Sequence, residues 1–133
     1  MQVSLLPGLT GEARTEVTDA NTAAAVGSGG IQVFSTPMMI ALMENAALQA
    51  VQPHLAAGES TVGTVVNIKH LAATPLGMQV RAVARLDAVE GRRLSFTVEA
   101  FDEREKIGEG THERFVIGVE RFLERSRQKR FTS

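Results

Sequence analysis

Cysteine, tryptophan and tyrosine are all missing from this chain of 133 residues. Without cysteine there is no disulfide, no thiolate nucleophile and no cysteine-ligated zinc or iron–sulfur centre. That fits a reducing compartment, and a cytoplasmic protein is expected. Six Phe are the only aromatic residues, which leaves few platforms for stacking single-stranded bases. Neither sign of charge is in marked excess, with 14 Lys and Arg against 15 Asp and Glu. Non-specific binding to nucleic acid runs on surplus positive charge, so no nucleic-acid partner is expected. No apolar run reaches the roughly 18 residues of a membrane span, so no membrane partner is expected either. The opening MQVSLLPGLTGEART has no basic stretch, and its apolar stretch is too short for a signal peptide. His54, His70 and His112 are scattered at no metal-ligand spacing, so neither a metal nor a cofactor is expected. GSGG at 27–30 lacks both the Walker ending and the dinucleotide-binding glycine spacing.

What is there is an ordinary globular composition, 44% hydrophobic and 22% charged, without internal repeats. The length suits one domain spanning 1–133, with a core over about 10–120 and a basic C-terminal helix over about 120–130. The stretch 11–18 reads as a first strand. Residues 21–30, NTAAAVGSGG, read as a connecting loop, with a mobile flap as the alternative. In STPMMIALMENAALQAV, Ser35 or Thr36 supplies a helix cap and Pro37 suits the first turn. Pro53 and Gly58 end that helix, which is apolar nearly all round and so is expected to be enclosed by protein.

From Ser60 the texture turns to period two. Val62, Val66, Ile68 and His70 share one face of a strand, and the runs 78–88 and 93–101 alternate apolar with polar residues. A further run, 107–119, follows. Short links between these runs predict antiparallel neighbours in a meander. The apolar face of that sheet needs a cover, and the helix at 36–51 is long enough to be one. A sheet wrapped around one buried helix is the hot-dog architecture, an α+β fold. So apolar a helix needs more cover than one small sheet provides, so a dimer is expected.

Four positions could carry chemistry. Glu44 lies in the most apolar helix, where an unpaired carboxylate is costly, so its pKa should be raised or its charge partnered. Thr36 lies eight residues earlier, about 12 Å of helical rise, close enough to border the same pocket. The helix N-terminus, with its free amides and positive dipole, could polarise a carbonyl. His70 is on the apolar face of its strand and is expected to point at the helix. A His and a carboxylate there could move protons near neutral pH. Gly63 interrupts a β-branched strand, which marks a bulge or a close approach to a ligand. His54 reads as structural or solvated. His112, among Glu109, Glu113 and Arg114, reads as an exposed strand residue. The tail RFLERSRQKR holds five basic residues against Glu124 and reads as a solvated helix face, with attraction to a nucleotide phosphate as the alternative.

STPMMIALMENAA, TVGTVVNIKHLAATPLG and EGTHERFVI resemble the small hot-dog thioesterases related to fluoroacetyl-CoA thioesterase. The likeness runs over roughly residues 10 to 120. It implies hydrolysis of a small or medium acyl-CoA thioester by Thr36, Glu44 and His70, with Gly63 beside the thioester. It also implies a homodimer, or a tetramer built from dimers. The glycine-rich stretch before Thr36 departs from the bulky aromatics of the fluoroacetyl-specific enzyme, which argues against fluoroacetyl-CoA as substrate. Phe34, Met38, Met39 and Met43 are then expected to line an adaptable apolar pocket. Three rivals stand beside this reading: a non-catalytic acyl-CoA-binding module, an enoyl-thioester hydratase, whose Asp–His motif is not found, and a purely structural dimer.

Overall fold

The computed structural model describes residues 5–131, so residues 1–4 and 132–133 of the expected domain lie outside the described residues. The elements run β1 (Thr10–Glu16), α1 (Ala23–Val26), α2 (Thr36–Val51), a 3₁₀ turn (Gln52–His54), β2 (Glu59–His70), β3 (Gln79–Glu90), β4 (Arg93–Phe101), β5 (Lys106–Gly118) and α3 (Val119–Gln128). The strands form one antiparallel sheet in the order β1-β3-β4-β5-β2.

β3, β4 and β5 make the meander that their short links predict. β2 does not belong to it. It sits at the far edge beside β5 rather than next to β3. The link 71–78 is a strap over the end of the sheet, not a hairpin. Phe34 donates its amide to the Thr74 carbonyl (2.9 Å) and Gly77 donates to Val17 (2.9 Å). The Thr74 hydroxyl donates to Asp102 Oδ2 (2.8 Å), while Oδ1 of the same carboxylate accepts from the amides of Arg104 and Glu105.

α2 lies on the concave face, against β1 and β3 above all. Met39, Met43, Ala46, Ala47, Ala50 and Val51 form its buried face. It meets Val80, Ala82, Ala84 and Leu86 of β3 and Leu94, Phe96, Val98 and Ala100 of β4, all buried in the alternation read from the sequence. Each large apolar side chain so enclosed stabilises the fold by about 1.5–3 kcal/mol relative to exposure. Small residues set the spacing: a Cβ at Gly11 would overlap the backbone of Ala46 and Ala50, so any side chain there would push α2 off β1. The helix is not enclosed all round within one chain. Pro37, Met38, Ala41, Asn45 and Gln49 lie along an exposed face.

Two local features add to these expectations. The connecting segment 21–30 holds a short helix. Thr22 caps α1 by accepting from the Ala25 amide (3.2 Å), and Gly27, at φ +76°, closes it. Thr22 bridges to Phe34, and the Ser35 amide donates to Asn21 (3.0 Å). In β2 the pairing with β5 slips between Gly63 and Val65, a bulge with Thr64 as the extra residue. Side-chain alternation therefore switches there. Thr61 and Gly63 share the concave face with Val66, Ile68 and His70, while Val62 pairs with exposed Phe115 on the other side. α3 is exposed along its length and packs only lightly on β5.

Candidate active site

Ser35 is the cap of α2. Its hydroxyl accepts from the Met38 amide at 3.2 Å, and its carbonyl accepts from Met39 at 2.9 Å. Thr36 is thereby released from capping, and its exposed hydroxyl lies 2.7 Å from His70 Nδ1. The last residue of β2 and the first of α2 thus meet, 34 residues apart in sequence. Burial lowers the pKa of His70 below its usual 6.5, opposed by a backbone contact with Ala72. The ring is therefore neutral at pH 7. Its Nε2 is buried and has no hydrogen-bond partner among the described residues. Beside the pair is a cavity of about 400 Å³, walled by Ala23, Ser28, Ala72 and Ala73, with Val33, Phe34 and Leu71 adding apolar surface.

The amides at this helix end are less available than the sequence suggests. Pro37 has none, and those of Met38 and Met39 are taken by Ser35. Of the first four positions, only Thr36 keeps an amide without a partner among the described residues. The helix dipole still favours developing negative charge here.

Glu44 is two turns further along and borders a different cavity, of about 390 Å³, with Ala41, Leu48, Thr61, Gly63 and Arg114. Within one chain, then, the three expected residues do not share a pocket. Nor is Glu44 an unpaired carboxylate in an apolar enclosure: its side chain is 38% exposed, and Arg114 Nη1 lies 3.9 Å from Oε2. Gly63 has a packing reason to be glycine. A Cβ there would stand 2.7 Å from Glu44 Oε2 and 3.1 Å from His112 Cε1.

The pattern of charges in GTHER suggests an exposed His112, but the structure buries both His112 and Arg114. His112 is 2% exposed and Arg114 7%. Nδ1 of His112 lies 2.8 Å from the Val65 carbonyl, just past the bulge. As that oxygen only accepts, Nδ1 carries the proton and Nε2 is left to accept from Arg114 Nη1 at 3.1 Å. Arg114 also donates Nε to Thr61 Oγ1 (2.7 Å) and Nη2 to the Thr61 carbonyl (2.9 Å). Counting back in twos from apolar Val116 puts both residues on the inward face, a signal that the charges of GTHER conceal.

The methionines part company. Met39 and Met43 are 0% and 1% exposed and pack over Gly108 in the core. Neither is among the residues that line the cavities at Thr36 and at Glu44. Met38 lines a cavity on the β1 side of α2, away from His70. Phe34 reaches both that cavity and the one at Thr36.

Among solved structures, the chain superposes on a hot-dog-like protein from Thermanaerovibrio acidaminovorans with a TM-score of 0.83, over 96% of this chain and 93% of that one, at 24% identity. The class is therefore the hot-dog fold. The family described as fluoroacetyl-CoA-specific thioesterase (FlK) matches residues 17–120. The fluoroacetyl-CoA thioesterase of Streptantibioticus cattleyicolor is 49% identical over 98 residues, 74% of this chain and 70% of that protein. A solved structure of FlK superposes with a TM-score of 0.88 at 39% identity, covering 95% of this chain and 98% of that one. The chain belongs to the FlK thioesterase family and is a thioester hydrolase.

Proposed function

We propose that this chain hydrolyses small or medium acyl-CoA thioesters to the free acid and CoA, with Thr36, Glu44 and His70 as the catalytic set. The observation that carries the reading is the 2.7 Å Thr36–His70 contact at the start of α2, with a buried, partnerless Nε2 beside a cavity. Nδ1–H donating to Thr36 leaves the Nε2 lone pair free. In one route Glu44 attacks the carbonyl, the C–S bond breaks and the thiolate leaves, and Nε2 then takes the proton of the water that hydrolyses the Glu44 anhydride and releases it to solvent. In the other, Glu44 draws the proton from the water that attacks the carbonyl and returns it to the thiolate as the C–S bond breaks, while the Nε2 lone pair accepts a hydrogen bond from that water. A thiol is a good leaving group, so a weak acid is enough.

A second copy of the chain brings the two halves of this set together. β2 is an edge strand with Val65 44% and Val66 45% exposed, an unpaired ladder suited to another strand. Antiparallel pairing of two β2 strands centred between Val66 and Asn67 sets Gly63 of one copy opposite His70 of the other. Glu44, over Gly63, then faces the Thr36–His70 pair across the interface.

The relatives are named for fluoroacetyl-CoA. Here the small walls at Ala23, Ser28, Ala72 and Ala73, with Phe34 behind them, favour acyl groups longer than two carbons. The test is thiol release from an acyl-CoA panel, acetyl and fluoroacetyl through long-chain and aryl, with Glu44→Gln and His70→Ala alongside. Release that both folded variants lose supports the set and ranks the substrates. Release that neither variant diminishes rejects it. Binding without release on any member would instead mark an acyl-CoA-binding module.

A further inference from the structure

Arg114 is held on three sides. Thr61 takes two of its donors and His112 takes a third, all from a buried position, and the guanidinium edge left over faces Glu44 at 3.9 Å. A bidentate arginine–carboxylate pair needs two adjacent N–H groups directed at the same carboxylate. Nε and Nη2 are committed to Thr61, and Nη1 shares itself with His112. Arg114 therefore fixes a cation beside Glu44 without closing on it, and the carboxylate oxygens remain open for chemistry. His112 can serve as the acceptor in this arrangement because Val65 holds its other nitrogen in the protonated form.

We infer that His112 is a positioning residue for the reaction: through Arg114 it sets where the Glu44 carboxylate stands and keeps it from being captured in a tight ion pair. This rests on Glu44 being catalytic. The bulge lies inside this frame: Val65, whose carbonyl holds His112, is the first residue of β2 to pair with β5 after Thr64.

The test compares His112→Leu, which fills the site but cannot accept, with His112→Gln, whose carbonyl can. Thermal midpoint, kcat and KM are measured for each on the best substrate. His112→Leu should lower kcat between about tenfold and about a hundredfold, in keeping with the cost of a small displacement of a catalytic group. KM should change little, and His112→Gln should recover most of the loss. In a crystal structure of His112→Leu, Arg114 should have closed on Glu44 to hydrogen-bond distance. A role in stability alone predicts lower midpoints for both variants with kcat of the folded enzyme unchanged, and that result overturns the inference. So does an equal loss in both variants. Should His112→Leu not fold, Thr61→Val removes the Nε acceptor at constant shape and should give a smaller fall in kcat at constant KM; unchanged kcat there also overturns the inference. Glu44→Gln separates the layers: if it is fully active, the catalytic reading of Glu44 fails first; if it is inactive while His112→Leu is not, only the positioning role fails.

Discussion

At the first turn of α2, His70 is held by one side-chain contact, from Thr36, and a backbone contact with Ala72, and its buried Nε2 has no hydrogen-bond partner among the described residues. Two turns along, Arg114 has donors placed on Thr61 and His112, and His112 is anchored to Val65. The same helix thus borders one region left under-satisfied and another that is over-determined. Buried polar groups are ordinarily bonded, so the exception points to a partner that arrives later, while the saturated cluster serves as the frame that meets it. This difference explains why the smaller constellation, two residues at the helix start, is the one that looks chemically unfinished.

The contrast can be broken most forcefully at Glu44. Glu44→Gln should lower kcat by about 10²- to 10⁴-fold, the usual weight of a general base, while the chain stays folded. Steady-state kinetics with a circular-dichroism control decide it. Next in size is Gly63→Ala. Its Cβ would crowd both Glu44 and His112, so it disturbs the frame from within. A stability loss of about 1–3 kcal/mol by chemical denaturation is expected, as for overpacking elsewhere. kcat should fall as well, since the crowded atom is the Glu44 oxygen itself.

Ser35 and Thr36 sharpen the comparison because they are adjacent yet serve different ends. Thr36→Ala should cost about tenfold or more in kcat through loss of a positioned hydrogen bond to His70, with the thermal midpoint almost unmoved. Ser35→Ala removes the cap and should cost about 1 kcal/mol of stability. Interchanged results would show that the cap had been assigned to the wrong residue.

The smallest expected effect is in pH dependence. Burial lowers the pKa of both His70 and His112 below 6.5. Around His112, Arg114 acts in the same direction, and the Val65 contact, Glu44 and Glu113 oppose it. Both rings take up a proton more readily unfolded than folded. They therefore contribute stability above the unfolded pKa of about 6.5, which is lost as the pH falls below it. His112→Gln should make the decline of the unfolding midpoint between about pH 7 and about pH 5 shallower. An unchanged slope would mean that His112 is not one of the groups responsible.

Much of this was legible in the sequence because it depends on local rules. Pro37, Pro53 and the alanine-rich stretch between them delimit α2, and period two finds β3 and β4 almost to the residue. Thr36 and His70 were also legible, since a helix start and an inward strand position are both local. The place of β2 in the sheet was not, because a short link says how far the chain travels and not which neighbour it finds. Simple alternation puts Val62 on the wrong face because the bulge at Thr64 shifts the period. Arg114 is hidden because a buried arginine looks, in sequence, like any surface charge. That Glu44 stands apart from His70 could not be read from spacing, which gives distance along α2 but not which cavity a side chain borders.

Thr64 gives the bulge one more consequence. Because side chains alternate with a period of two, removing a single residue between Gly63 and Val65 would turn one part of β2 over relative to the rest. Either His70 would leave the concave face, or Thr61 and Gly63 would. Strand ends and turns usually absorb a deletion at little cost, but here the number of residues matters more than their identity. Thr64 is thus a position at which a change of side chain should be tolerated and a change of length should not.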